Sequence, residues 1–208
     1  MGDAAMQERA AELALGPHAR AAKIRPYEGI HFLFRAAAAG RLAAMRRLAE
    51  GLDKGAFGLR KRPDAARCWS GLPAQFEARL ACVRLTDYRD PKARVPCPDL
   101  IATGPREKLG RRDGPGMAQL CLANRTPALL IFGLPPGKIA LAREREYRRH
   151  GIDWVVTGDV YNDDFEAFRA AFNDTTVAAI EAERGRGYME RLSADIEARV
   201  SGKAQARQ

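Results

Sequence analysis

Thr126-Pro127-Ala128-Leu129-Leu130-Ile131-Phe132-Gly133-Leu134-Pro135-Pro136-Gly137-Lys138 opens the stretch that decides the fold, and the stretch runs on to Phe172. Ala128 to Leu134 is an apolar run broken only by Gly133. The turn Pro135-Pro136-Gly137 follows, then a charged segment from Lys138 to His150. Gly151 stops that segment. A second apolar run, Trp154-Val155-Val156, leads through an acidic turn to Phe165, Phe168 and Phe172. The order is strand, helix, strand, helix, the usual way of laying helices on a parallel sheet. The expected fold class is therefore α/β, with mixed α+β as the alternative: one compact sheet flanked by helices.

Working outward, residues 1–22 are rich in Ala and charge and read as a frayed helix or mobile leader. Ile30 to Leu52 is helical, with Leu33, Ala37, Leu42, Met45, Leu48 and Leu52 at three- and four-residue steps. Gly40 divides it into a helix pair. Ala36 to Glu50 resembles a single ankyrin repeat, but no second copy follows, and a solenoid needs about three. Leu80 to Leu85 alternates loosely and reads as a strand, and Asp99 to Thr103 as another short one. Three prolines keep Asp87 to Pro98 out of regular structure. Met117 to Asn124 reads as a helix. Asn173 or Asp174 reads as the cap of a final helix from near Thr175, continued by Tyr188, Leu192, Ile196 and Val200. The expected organisation is a leader over 1–22, one globular domain over 23–172, and a helical extension over 173–208.

The chain has 208 residues, long enough for a sizeable core, and its 46% hydrophobic content excludes a disordered chain. It carries 35 Lys and Arg against 26 Asp and Glu, a net +9 that favours a polyanionic partner or, more blandly, reflects an Arg-rich composition. Cys68, Cys82, Cys97 and Cys121 form no CxxC pair and lie far from His18, His31 and His150, which argues against structural zinc. Isolated cysteines of this kind read as small buried thiols, and reduced thiols fit a cytoplasmic protein. The first 24 residues lack a signal-peptide core, and no run is long enough to insert into a membrane.

Three places could hold chemistry. The glycine-rich loop Gly104 to Gly116 runs into a helix start, where free N–H groups beside Arg111 and Arg112 would bind an anion, and Gly114 and Gly116 would let the backbone approach it. A flexible hairpin with exposed arginines is the alternative. Gly133 to Lys138 looks like a shortened P-loop, yet it is one residue short, holds two prolines, and has Ile139 where Ser or Thr is needed. Lys138 remains a candidate phosphate ligand. Asp153, Asp159, Asp163 and Asp164 gather around the second strand and could hold Mg²⁺ or activate water, with Asp159 and Asp163 the catalytic candidates. Capping by Asp163 is the competing reading. A further basic stretch, Lys54 to Arg67, reads either as a phosphate-binding loop or as a solvated connection.

The run His31-Phe32-Leu33-Phe34-Arg35-Ala36-Ala37, with Gly40-Arg41-Leu42 and the block from Pro127 to Asp159, resembles the plasmid fertility-inhibition proteins of the Osa and FiwA kind. That resemblance implies a ParB/sulfiredoxin-like fold. It also implies a block on conjugative DNA transfer through a type IV secretion system at the coupling step, with the coupling protein or relaxosome as partner. ATP binding or hydrolysis and nuclease activity belong to the same expectation. The sulfiredoxin Gly-Cys-His-Arg signature is absent, and no catalytic position carries over. A Mg²⁺-dependent nucleotide hydrolase or nuclease, and a non-catalytic basic DNA-binding protein, are the alternatives.

Overall fold

The computed structural model describes residues 4–16, 26–89, 91–97, 113–133, 137–157 and 163–205. The chain divides into two units, residues 1–107 with 123–125, and residues 108–122 with 126–208. The coarse class is mixed α+β, mostly helical, with one small parallel sheet among the described residues.

The first unit is a run of helices, each lying against the next in the chain: α1 (Ala4–Leu15), α2 (Pro26–Ala38), α3 (Leu42–Lys54), α4 (Pro63–Ser70) and α5 (Phe76–Leu85). Pro26 and Pro63 each open a helix, where a missing N–H costs nothing. Ile30, Leu33, Phe34 and Ala37 recur at helical spacing and are buried, as are Met45, Leu48 and Leu52 on α3. Gly40 (φ +93°) separates α2 from α3 as expected, and Gly55 (φ +67°) ends α3 in the left-handed conformation. Trp69 is fully buried, and its indole N–H donates to Thr86 Oγ1 at 3.0 Å.

Two expectations are corrected in this unit. Leu80 to Leu85 is helix and not strand. The loose alternation is the tail of a longer segment from Phe76, in which Leu80 and Val83 are buried one turn apart. The thiols are not reduced: Cys68 on α4 is bonded to Cys82 on α5, and none of the four cysteines is free. Helical hairpin geometry brings together two cysteines that sequence spacing keeps apart, with their Cα atoms 5.4 Å apart.

The second unit contains α6 (Gly114–Ala123), β1 (Ala128–Ile131), α7 (Lys138–Arg149), β2 (Asp153–Val156), α8 (Asp163–Arg184) and α9 (Tyr188–Gln205). β1 and β2 pair in parallel, Ala128 opposite Asp153 through Ile131 opposite Val156. The strand–helix–strand–helix order read from Ala128 onward is therefore observed. Its core is Leu129, Tyr147, Ile152 and Ile180 with Met189, Leu192, Ile196 and Val200 of α9. Tyr147 stacks on Trp154 at 4.5 Å between ring centroids. The expected boundary at 172/173 falls inside α8, which runs unbroken from Asp163 to Arg184. The expected strand at Asp99 to Thr103 lies outside the described residues.

Candidate functional site

In a parallel pair the chain leaves both strands at the same edge, so the helices that follow begin there. Lys138 is the first residue of α7 and is exposed, behind Gly137. Asp163, Asp164 and Glu166 occupy the first turn of α8, where carboxylates complement the partial positive charge of a helix start. Topology thus puts Lys138 and Asp163 along the carboxyl edge of one sheet. Arg111, Arg112 and Asp159 lie outside the described residues.

Gly114 and Gly116 are both buried. A Cβ on Gly114 would stand 2.5 Å from the Phe168 carbonyl oxygen and 3.1 Å from the Phe172 amide nitrogen. The close approach of α6 to α8 is reason enough for a glycine there. Asp153 does not join the other aspartates, because it is the first residue of β2 and so stands at the opposite edge. Burial raises its carboxyl above the usual range; Arg148, 3.9 Å away, pulls it down, and Glu144 pushes it up. Among the described residues no three His, Cys, Asp or Glu side chains are grouped to hold a metal ion.

Several residues that hold this edge together are not read from the sequence as such. Leu130 faces away from β2 in the ladder, and Asn173 closes that side. The Leu130 N–H donates to Asn173 Oδ1 at 2.8 Å, and Asn173 Nδ2 donates to the Leu130 carbonyl at 2.9 Å. One amide thus replaces a third strand at an open sheet edge. Arg169 also donates to the Leu130 carbonyl (3.4 Å) while paired with Glu166, whose carboxyl it holds below the usual range. Asn173, expected as a helix cap, is therefore a mid-helix clamp. The only hint in the sequence is an amide spaced one turn from Arg169 on a helix, where Asn is a poor former. The charged helix α7 is not wholly solvated either. Its Glu144–Arg148 pair forms as expected (2.6 Å), with Arg148 exposed and Glu144 half-buried, but Glu146 is buried beside Arg149 and Arg199.

The charge is divided unequally. Residues 1–107 with 123–125 hold 20 Lys and Arg against 12 Asp and Glu, a net +8, whereas the second unit holds 15 against 14, a net +1. Almost the whole surplus belongs to the helical unit. Among the described residues no helix is long and apolar enough to cross a membrane. Compared with family models, with curated proteins and with solved structures, the chain matches none.

Proposed function

We propose that this chain is a nucleic-acid-binding protein that works through the phosphate backbone, and that it serves as a fertility-inhibition factor. In that role it would block conjugative DNA transfer through a type IV secretion system at the coupling step. The observation that carries the binding reading is the net +8 of the helical unit. A field of that sign raises the local concentration of polyanions and speeds their association. The biological setting, with the coupling protein or relaxosome as neighbours, and a ParB/sulfiredoxin-like fold rest on the resemblance to the Osa and FiwA kind. ATP, Mg²⁺ and a hydrolase or nuclease activity stay attached to that resemblance, and no described residue adds to them.

The proposal puts the protein in the cytoplasm. Cytoplasmic thiols are kept reduced, and disulfides such as Cys68–Cys82 belong to oxidising compartments. The thiol state in cells is therefore the sharpest check on placement: trapped thiols at all four positions support it, and an intact Cys68–Cys82 bond moves the protein elsewhere. The binding reading is tested by fluorescence anisotropy with a short labelled DNA across about 50 to 200 mM salt, where phosphate contacts make affinity fall steeply. Absent or salt-insensitive binding ends it. Expression in a donor cell should lower transfer of an unrelated plasmid, and unchanged frequencies would remove the conjugation setting.

A further inference from the structure

Resting on the nucleic-acid reading, we infer that the turn after α3 is a phosphate-docking point, made by Lys61 and Arg89 beside Gly55. The turn is built in an unusual way. Leu59 N–H donates to the Ala56 carbonyl at 2.9 Å, and both central residues, Phe57 (φ +58°) and Gly58 (φ +80°), have positive φ. That is the requirement of a type I′ turn, and an aromatic residue there is a costly exception. Phe57 is held by its ring, which lies 2.8 Å from where a Cβ on Gly51 would stand and beneath the Arg47 guanidinium, 5.7 Å from the ring centroid. Gly51, in the last turn of α3, thereby makes room for the anchor.

The turn is pinned from the other side by an antiparallel bridge between Leu59 and Tyr88. Arg60 N–H donates to the Asp87 carbonyl at 3.1 Å, and Arg89 N–H to the Gly58 carbonyl at 2.7 Å. Five cations, Lys54, Arg60, Lys61, Arg62 and Arg89, are fixed on these two short segments. Three have carboxylate partners: Lys54 with Glu50, Arg60 with Asp87 and Arg62 with Asp64. Lys61 and Arg89 are exposed and have no carboxylate partner among the described residues. Both pass close to Gly55: a Cβ there would stand 3.1 Å from Arg89 Nη2 and 3.3 Å from Lys61 Cβ. Arg89 is held in place by a 3.1 Å bond from Nη2 to the Gly55 carbonyl.

A phosphodiester group would be held there by the Lys61 ammonium and the Arg89 guanidinium, both exposed, beside a turn residue that carries no side chain. The N–H groups of Gly55 and Ala56 both donate to the Gly51 carbonyl, so the two side chains carry the contact. Arginine forks and lysine point charges are the usual phosphate ligands. The ligand class is a nucleic-acid strand, bound through its backbone.

The test compares Lys61→Ala/Arg89→Ala with a charge-matched control, Arg9→Ala/Arg46→Ala, on α1 and mid-α3. Binding of one labelled DNA is followed against salt, and circular dichroism confirms folding. The expected result is a loss of roughly two in the slope of log affinity against log salt for the first variant, with affinity reduced about tenfold near 50 mM salt, and little change for the control. Equal losses in both variants would mean a diffuse field and overturn the docking point. So would an unchanged Lys61/Arg89 variant on a wild-type chain that binds DNA, leaving the broader reading intact. A wild-type chain that binds no DNA removes the broader reading and this site with it.

Discussion

The two units spend their charges differently. In the α/β unit 15 cations nearly balance 14 acids, and ion pairs join Arg143 with Glu197, Arg148 with Glu144, Arg149 with Glu146 and Arg169 with Glu166. In the helical unit 20 cations face 12 acids. Arg41, Lys54, Arg60 and Arg62 have carboxylate partners, while Lys61 and Arg89, on an ordered turn, have none among the described residues. Solvent-accessible pairs such as Arg143–Glu197 contribute at most about 1 kcal/mol each, so near balance of charge neutralises this unit more than such pairs stabilise it. The difference teaches that a whole-chain charge says little until it is assigned to a unit. The strand–helix unit looks like a ligand site in the sequence, yet the helices carry the field that a polyanion would feel.

The units also hold themselves together differently, and mutations can test this. Trp69→Ala should have the largest effect, about 3 to 5 kcal/mol, because it empties a fully buried site and leaves Thr86 Oγ1 without its indole donor. Hydrogen exchange resolved by segment should rise across residues 26–89 and stay near wild type across 138–200. A matching rise in both would show the units to be one cooperative body. Removing the staple with Cys68→Ala/Cys82→Ala should cost about 3 kcal/mol in the chain-entropy account, since the bond closes a 14-residue separation. A negligible loss would mean that the buried faces of α4 and α5 already fix the hairpin. That outcome would also make life in a reducing compartment easy.

In the α/β unit the corresponding staple is an amide. Asn173→Leu leaves the Leu130 N–H and carbonyl without their clamp, and a buried polar group left unpaired costs about 1 to 3 kcal/mol. The expected readout is a lowered denaturation midpoint with faster exchange at the Leu130 amide. If that amide is unaffected, Arg169 or water is closing the sheet edge instead.

Which of these features could be read in advance follows from their range along the chain. The α2–α3 pair and the strand–helix–strand order are legible because apolar spacing and the glycines at 40 and 151 act within a few residues. Leu80 to Leu85 misleads because a short apolar run has no period of its own. The Cys68–Cys82 bond and the Asn173 clamp depend on which helices and strands lie side by side, and no local pattern records that. The aspartates mislead for a simpler reason. Asp153 and Asp163 are close in number, but a strand advances about 3.3 Å per residue, so four strand residues carry the chain to the other edge. For the candidate site, the sequence picks out Lys138 and Asp163 at helix starts, whereas Lys61 and Arg89 become neighbours only through the Leu59–Tyr88 bridge.

The smallest expected effect concerns two carboxylates whose responses to pH have opposite signs, one in each unit. Asp64 on α4 accepts two hydrogen bonds from Arg62, and together with the Ala65 N–H these hold its carboxyl well below the usual range. A carboxyl lowered in the folded state contributes stability above its unfolded value of about 3.9, and that contribution is lost as pH falls. Asp153 is the reverse. Burial raises it, so its favourable contribution exists only below the unfolded value and disappears as pH climbs through the folded one. Asp64→Asn should therefore lower the denaturation midpoint at pH 7 and matter less near pH 3. Asp153→Asn should be neutral or slightly stabilising at pH 7, with the advantage fading as the carboxylate range is crossed downward. Arg148→Met should make ionised Asp153 costlier and enlarge the gain from Asp153→Asn in the same background, since Arg148 is the countercharge 3.9 Å away. If Asp153→Asn instead destabilises at pH 7, the Arg148 contact outweighs burial, and this edge of the sheet is held by charge in the way Arg62 and Asp64 are.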